Sequence, residues 1–235
     1  MSAKRPRVIV LGASGTLGRV VASALAAAGA AVTVVASVAA AIEALTANQL
    51  GYTVALGIPE LRAAIAQSYA QRHGLAVDVD DVVLTTGSSG GFLLAFLACF
   101  DAGDRVAIEN PGYRAAGHAF AAAGAELCGV AMDGDGLDVA ALEQVQDCRL
   151  AYVTPSHQYP TGVTLSLARR LALLDWAERQ DGWIIEDDYD GEYRYSGTPL
   201  APLAALDRQG RVIYVGTFCK IAFPALRLGY LVLPP

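Results

Sequence analysis

Lysine is almost missing from this 235-residue chain: only Lys4 and Lys220 are present. Charge of either sign is sparse, with Asp, Glu, Lys and Arg making up 17% of residues, and the balance is acidic at a net charge of −6. No basic stripe exists to follow a phosphate backbone, so nucleic-acid binding is not expected. The four cysteines (Cys99, Cys128, Cys148, Cys219) are widely spaced with no CxxC pair. That spacing argues against a disulfide framework and against a zinc site, and it suits a reducing, cytoplasmic setting. Repeats and low-complexity linkers are also missing. What remains is a chain that is 54% apolar, long enough for one large α/β domain or two small ones.

The longest uncharged stretch runs from Val20 to Ile42 and is long enough to cross a bilayer. It is mostly alanine, which is weakly apolar, and Gly29 interrupts it. The expectation is therefore no membrane segment. The stretch belongs instead to a local pattern that opens the chain. Arg7–Gly12 reads as a buried strand, Gly12, Gly15 and Gly18 form a glycine-rich turn, a helix runs to about Ala28, and Ala31–Val35 reads as a second strand. Glycines in that place let a backbone approach a pyrophosphate at a helix N-terminus. Residues 1–45 thus resemble the first Rossmann-like βαβ of short-chain dehydrogenases and related NAD(P)-binding proteins. Ala36 and Ser37 stand where an acidic residue would meet a ribose hydroxyl, and the Tyr-x-x-x-Lys of that family is not in the chain. A βαβ that packs and binds nothing is the plainer alternative.

Residues 46–235 read as alternating helices and strands, about nine strands in all with the N-terminal pair, which predicts a mostly parallel α/β sheet flanked by helices. Pro59 opens a helix that Gly74 ends, with His73 as a structural residue at its C-terminus. Asp81–Thr86 is a strand, Gly87–Gly91 (GSSGG) a turn, and Phe92–Phe100 a helix. Free amides, two hydroxyls and a helix dipole make that turn a candidate anion cradle; a simple N-cap by Ser88 or Ser89 is the alternative. Leu165–Gln180 is an amphipathic helix with Arg169, Arg170, Glu178 and Arg179 placed outward. The acidic turn at Asp133, Asp135 and Asp138 lacks the glutamate of a calcium loop and reads as solvated.

Several chemically capable residues fall at the C-terminal ends of strands, which in a parallel sheet lie along one edge. They are Gly87, Ser88 and Ser89, then Tyr113, His157, Asp187 and Lys220. Lys220 stands between the apolar runs Val212–Val215 and Ile221–Leu226. Desolvation there favours the neutral, nucleophilic amine, whereas a snorkelling lysine is the plainer alternative. A phosphate cradle, an aromatic plate, a carboxylate and one lysine are the combination that pyridoxal phosphate needs: donors for its phosphate, a partner for its ring nitrogen and an amine for its Schiff base.

On these motifs, Leu50–Pro235 resembles the large domain of the fold-type I PLP enzymes, the aspartate-aminotransferase superfamily. About Gly124–Pro235 is most similar to the aminotransferase-like domain of MocR-type regulators, through TPSHQYPTG, IIEDDYDGEYRY and GTFCK…FPALRLGYLVLP. The resemblance implies a transaminase, with Lys220 as the Schiff-base lysine, Asp187 at the pyridinium nitrogen and Tyr189 at the ring's phenolic oxygen. It implies Tyr113 stacked on the ring, with Gly87, Ser88, Ser89, Thr217 and Arg227 at the phosphate. Tyr52 would cross to a partner subunit's phosphate, which implies a homodimer, and His157 or Gln158 stands near a position where many relatives carry asparagine. Cys219 replaces the usual serine before the lysine. The family continues past the point matching Pro235 into a small domain that carries a substrate-gripping arginine. With the N-terminal βαβ in place of the family's arm, the chain reads as a fusion of fragments. A PLP- and amino-acid-sensing module without turnover is the other reading of the same residues.

Overall fold

A computed structural model of the protein describes residues 7–10, 31–34, 54–191, 200–220 and 227–235. Strands β1 (Arg7–Val10) and β2 (Ala31–Val34) pair in parallel as a separate two-stranded sheet. The glycines at Gly12, Gly15 and Gly18, the helix expected after them, and Tyr52 lie outside the described residues.

The main sheet is built from β3 (Val82–Thr85), β4 (Arg105–Asn110), β5 (Glu126–Asp133), β6 (Gly136–Leu137), β7 (Cys148–Val153), β8 (Trp183–Asp188), β9 (Val212–Thr217) and β10 (Gly229–Val232). Their order across the sheet is β3-β10-β9-β8-β7-β4-β5-β6. The centre is parallel, through β9–β8, β8–β7, β7–β4 and β4–β5. β10 runs antiparallel between β9 and β3, and the short β6 runs antiparallel to β5 at the opposite edge.

The central strands are apolar almost end to end because both faces of the sheet are covered. Side chains alternate across the sheet with period two. In β7, Leu150 and Tyr152 point into a cluster with Phe92, Phe96 and Phe120, while Ala151 and Val153 join Leu173 and Trp176 on the other face. The helices supplying those partners are α2 (Gly87–Cys99) and α3 (Arg114–Ala122) on the first face and α5 (Leu167–Arg179) on the second. Helix α1 (Pro59–His73) packs Leu61, Ile65 and Tyr69 against Val82, Tyr214, Tyr230 and Val232. It starts at Pro59, and Gly74 ends it in a left-handed conformation (φ 70°), accepting a role that only glycine fills without strain. Short helices α4 (Val139–Leu142) and α6 (Leu203–Leu206) fill the connections.

Two local expectations are corrected. The GSSGG segment is not a turn before a helix but the first turn of α2 itself, with Thr86 in the N-cap position. Glycine and serine are poor helix formers, but here β10 closes over the segment, and tertiary packing decides. Arg170, expected outward, is 1% exposed. Its guanidinium donates to the carbonyls of Leu165 (3.0 Å), Ala201 (3.1 Å) and Pro155 (2.7 Å) and lies 3.8 Å from Glu186. Arg169 and Arg179 do face outward, pairing with Asp133 and with Glu143 and Asp175.

Arg170→Met keeps the stem but leaves Glu186 without its cation and three buried carbonyls without a donor. The expected cost is about 3 kcal/mol, read as a lower urea midpoint with an unchanged slope. An unchanged midpoint would show that Arg170 does not clamp these loops.

Candidate functional site

The C-terminal ends of the parallel strands converge on one cleft, as the strand-end reading requires. It is lined by Ser88, Ser89, Tyr113, Thr154, Tyr159, Asp187, Tyr189, Thr217, Cys219, Lys220 and Arg227. Five elements and their following loops thus contribute to one wall.

The anion side is set by the close approach of β10 to α2. A Cβ on Gly229 would stand 2.7 Å from the Gly87 carbonyl carbon, and one on Gly87 (φ 74°) would stand 3.1 Å from the Arg227 guanidinium. Only glycine at both positions lets Arg227 reach the first turn of α2. There the helix leaves its first N–H groups without intrahelical partners and presents the positive end of its dipole. Ser88, Ser89 and Thr217 add hydroxyls to the same wall. Thr217 is 5% exposed and its Oγ1 accepts from the Cys219 N–H at 3.2 Å, which ties the cradle to the segment holding Lys220.

The opposite side is acidic. Asp187 shares the face of Ile185 and Tyr152 and is 2% exposed. Its Oδ2 accepts from the Tyr152 hydroxyl at 2.6 Å, and its Oδ1 has no hydrogen-bond partner. Burial pushes its pKa up to about 7, with the charges of Asp188, Glu109 and Asp190 adding to the rise and the Tyr152 bond opposing it. A buried carboxylate oxygen without a donor, on a residue that lines a cleft, fits a ligand that brings one. Asp188 turns to the other face, where Tyr214 donates to it at 2.6 Å. Its Oδ1 is also unpartnered, but it does not line the cleft.

Three tyrosines stand between these poles. Tyr113 and Tyr159 meet edge to face at 5.6 Å, and Tyr159 and Tyr189 at 6.4 Å. The Lys220 amine lies 5.8 Å from the Tyr189 ring centroid, within cation–π range. Lys220 is exposed, so the desolvation expected from its apolar neighbours is not what the described residues show; Ile221–Leu226 lie outside them.

The structure therefore brings together Gly87, Ser88, Ser89, Tyr113, Asp187, Tyr189, Thr217, Lys220 and Arg227. It does not place His157 on the cleft wall. That ring turns to Asp190, Nδ1 to Oδ1 at 3.1 Å. Thr154 and Tyr159 also line the cleft, and both stand in the TPSHQYPTG segment that follows β7. Gln158 is 2% exposed and is a structural hub rather than a wall. Among the described residues no group of His, Cys, Asp and Glu is arranged to hold a metal ion, and no helix is long and apolar enough to cross a membrane.

Comparison with known proteins gives the same direction. A family model described as aminotransferase class I and II matches residues 22–235. Its start lies inside the span 1–45 read above as a separate unit. The chain is 43% identical over 201 residues to a valine–pyruvate aminotransferase of Mycobacterium tuberculosis, covering 83% of this chain and 51% of that protein. It is 40% identical over 185 residues to a probable rhizopine catabolism regulatory protein MocR of Rhizobium meliloti, covering 79% of this chain and 37% of that one. A crystal structure of Pyrococcus horikoshii kynurenine aminotransferase, in complex with PMP, superposes with a TM-score of 0.75 at 34% identity, over 83% of this chain and 51% of that one. The chain thus spans about half, or less, of the length of these relatives.

The raised Asp187 has a measurable consequence. Its folded pKa of about 7 lies above the ordinary 3.8, so the folded chain holds the proton more tightly than the unfolded chain. That stability is present below the unfolded value and is lost as pH rises through the folded one. In the ligand-free protein Asp187→Asn should flatten this fall and be more stable than wild type at about pH 8, by on the order of 2 kcal/mol. Urea unfolding at about pH 5 and pH 8 measures it; a variant less stable at both would overturn the assignment.

Proposed function

The chain belongs to the class I and II aminotransferase family, and on that premise we propose that it binds pyridoxal phosphate and transfers an amino group between an amino acid and a 2-oxo acid. The observation that carries the cofactor reading is the buried, unpartnered Oδ1 of Asp187 on a cleft that also holds Lys220 and an anion cradle. When bound, pyridoxal phosphate supplies a carbonyl carbon open to amines and a protonated ring that withdraws electrons.

The chain's own residues then have distinct tasks. Asp187 would accept from the ring N–H through Oδ1 and keep that nitrogen charged, which would also relieve the cost of its own burial. Arg227, Ser88, Ser89, Thr217 and the first amides of α2 at Gly87 hold the phosphate. Tyr113 would stack on the ring, and Tyr189 would meet the ring's phenolic oxygen. Lys220 would present its amine to the cofactor's carbonyl group and would serve as the base that carries the α-proton of the substrate. A homodimer in which Tyr52 reaches the partner's cleft, and a cytoplasmic location, belong to the same reading.

A sensing module without turnover is favoured by one observation, the 40% identity to MocR. The parallel pairing of β1 with β2 is the observation in favour of a Rossmann-like unit at 1–45 fused to a large-domain-like part at 46–235, with NAD(P) at Gly12, Gly15 and Gly18. A titration of NADH fluorescence decides that point, and no signal retires it.

Added pyridoxal phosphate should give wild type a visible absorbance band that borohydride fixes to the protein, and Lys220→Ala should give neither. Equal behaviour of the two proteins would end the cofactor reading. An amino acid that then converts the bound cofactor to its amine form, with release of a 2-oxo acid, separates transaminase from sensor.

A further inference from the structure

Glu109, at the end of β4, does not line the cleft, yet it is 2% exposed and enters no ion pair among the described residues. Its partners are three donors. The Thr154 amide reaches Oε1 at 3.2 Å, and the Thr154 hydroxyl and Gln158 Nε2 reach Oε2 at 2.6 and 3.1 Å. The two hydrogens of Gln158 Nε2 are shared between Glu109 and the carbonyls of Pro111 at 2.8 Å and Tyr159 at 2.6 Å. Its Oε1 is taken by the Thr161 amide at 3.1 Å and the Thr161 hydroxyl at 2.5 Å. The Tyr159 amide in turn donates to Thr154 Oγ1 at 3.2 Å.

One carboxylate therefore joins two loops. The first, through Pro111, leads to Tyr113; the second, through Thr154 and Gln158, carries Tyr159. Those two rings meet edge to face on the cleft wall. We infer that Glu109 is a positioning residue, whose acceptor-only carboxylate fixes the spacing of Tyr113 and Tyr159 across the cofactor cleft. The inference rests on the cofactor reading above.

The chemistry of the network makes the carboxylate hard to replace. All three partners present hydrogens, and an ionised carboxylate has only lone pairs to offer. Burial raises the Glu109 pKa on balance, and the bonds from Thr154 and Gln158 offset part of that rise. An amide of the same shape sets an NH2 group against either the Thr154 amide or Gln158 Nε2. The Thr154 hydroxyl can rotate to adapt, but Gln158 cannot turn without breaking both Thr161 bonds.

Glu109→Gln tests this against Leu142→Ala, a core truncation in α4 that lowers stability away from the cleft. Two readouts are taken on the whole chain: hydrogen exchange of the Thr154, Tyr159 and Thr161 amides without ligand, and the Kd for pyridoxal phosphate. Glu109→Gln should speed exchange at all three amides and weaken Kd roughly tenfold, while Leu142→Ala should do neither. Wild-type exchange and Kd in Glu109→Gln, or an equal loss in Leu142→Ala, would overturn the inference. If Glu109→Gln does not fold, Gln158→Met cuts the tie to Pro111 and is judged by the same criteria. A wild type that binds no pyridoxal phosphate would sink the cofactor reading instead, and the exchange measurement alone would then decide the role of Glu109.

Discussion

Three consecutive acids at the end of one buried strand constrain everything around them. Glu186, Asp187 and Asp188 close β8 at exposures of 0%, 2% and 4%, and desolvating a carboxylate is costly unless donors or cations meet it. Each acid is met differently. Glu186 accepts from the Leu203 and Ala204 amides at 2.8 and 2.9 Å, beside buried Arg170, and burial still pushes its pKa up to about 7. Asp187 and Asp188 are each met on one oxygen, by Tyr152 and by Tyr214, and of the two it is Asp187 that lines the cleft.

That difference turns a packing problem into a binding site. The strand alternation that points Asp188 toward Tyr214 necessarily points Asp187 toward Tyr152 and α2. The same alternation puts it opposite an anion cradle made by β10 closing over α2. On the proposed cofactor reading, a ligand carrying a protonated nitrogen and a phosphate would meet both, in a cleft that Lys220 and the tyrosines also line. Glu109 belongs to the same logic one strand further along: a buried acid whose partners are loops rather than a ligand.

Much of this was legible because it depends on local pattern and on one topological rule. The apolar runs of β4, β7, β8 and β9, the Pro59 and Gly74 boundaries of α1, and the placement of Asp187 and Lys220 at strand ends all follow from short stretches of chain. What could not be read depends on distant partners. Nothing in Gly229–Val232 states that it runs antiparallel between β3 and β9. Nothing in the pattern of α5 separates Arg170, whose acceptors come from residues 155, 165 and 201, from its outward neighbour Arg169. The helical state of Gly87–Gly91 comes from β10, not from propensity. His157 follows β7 but points to Asp190, a choice made by a neighbouring loop, while Tyr159 of the same segment lines the cleft.

The most direct test of the account is a crystal structure of the chain grown with pyridoxal phosphate. The account predicts the ring nitrogen against Asp187 Oδ1, the phosphate against Ser88, Ser89 and Arg227, and continuous density to the Lys220 amine. A cofactor bound with its phosphate elsewhere, or with Asp187 Oδ1 still unpartnered beside it, would contradict the account.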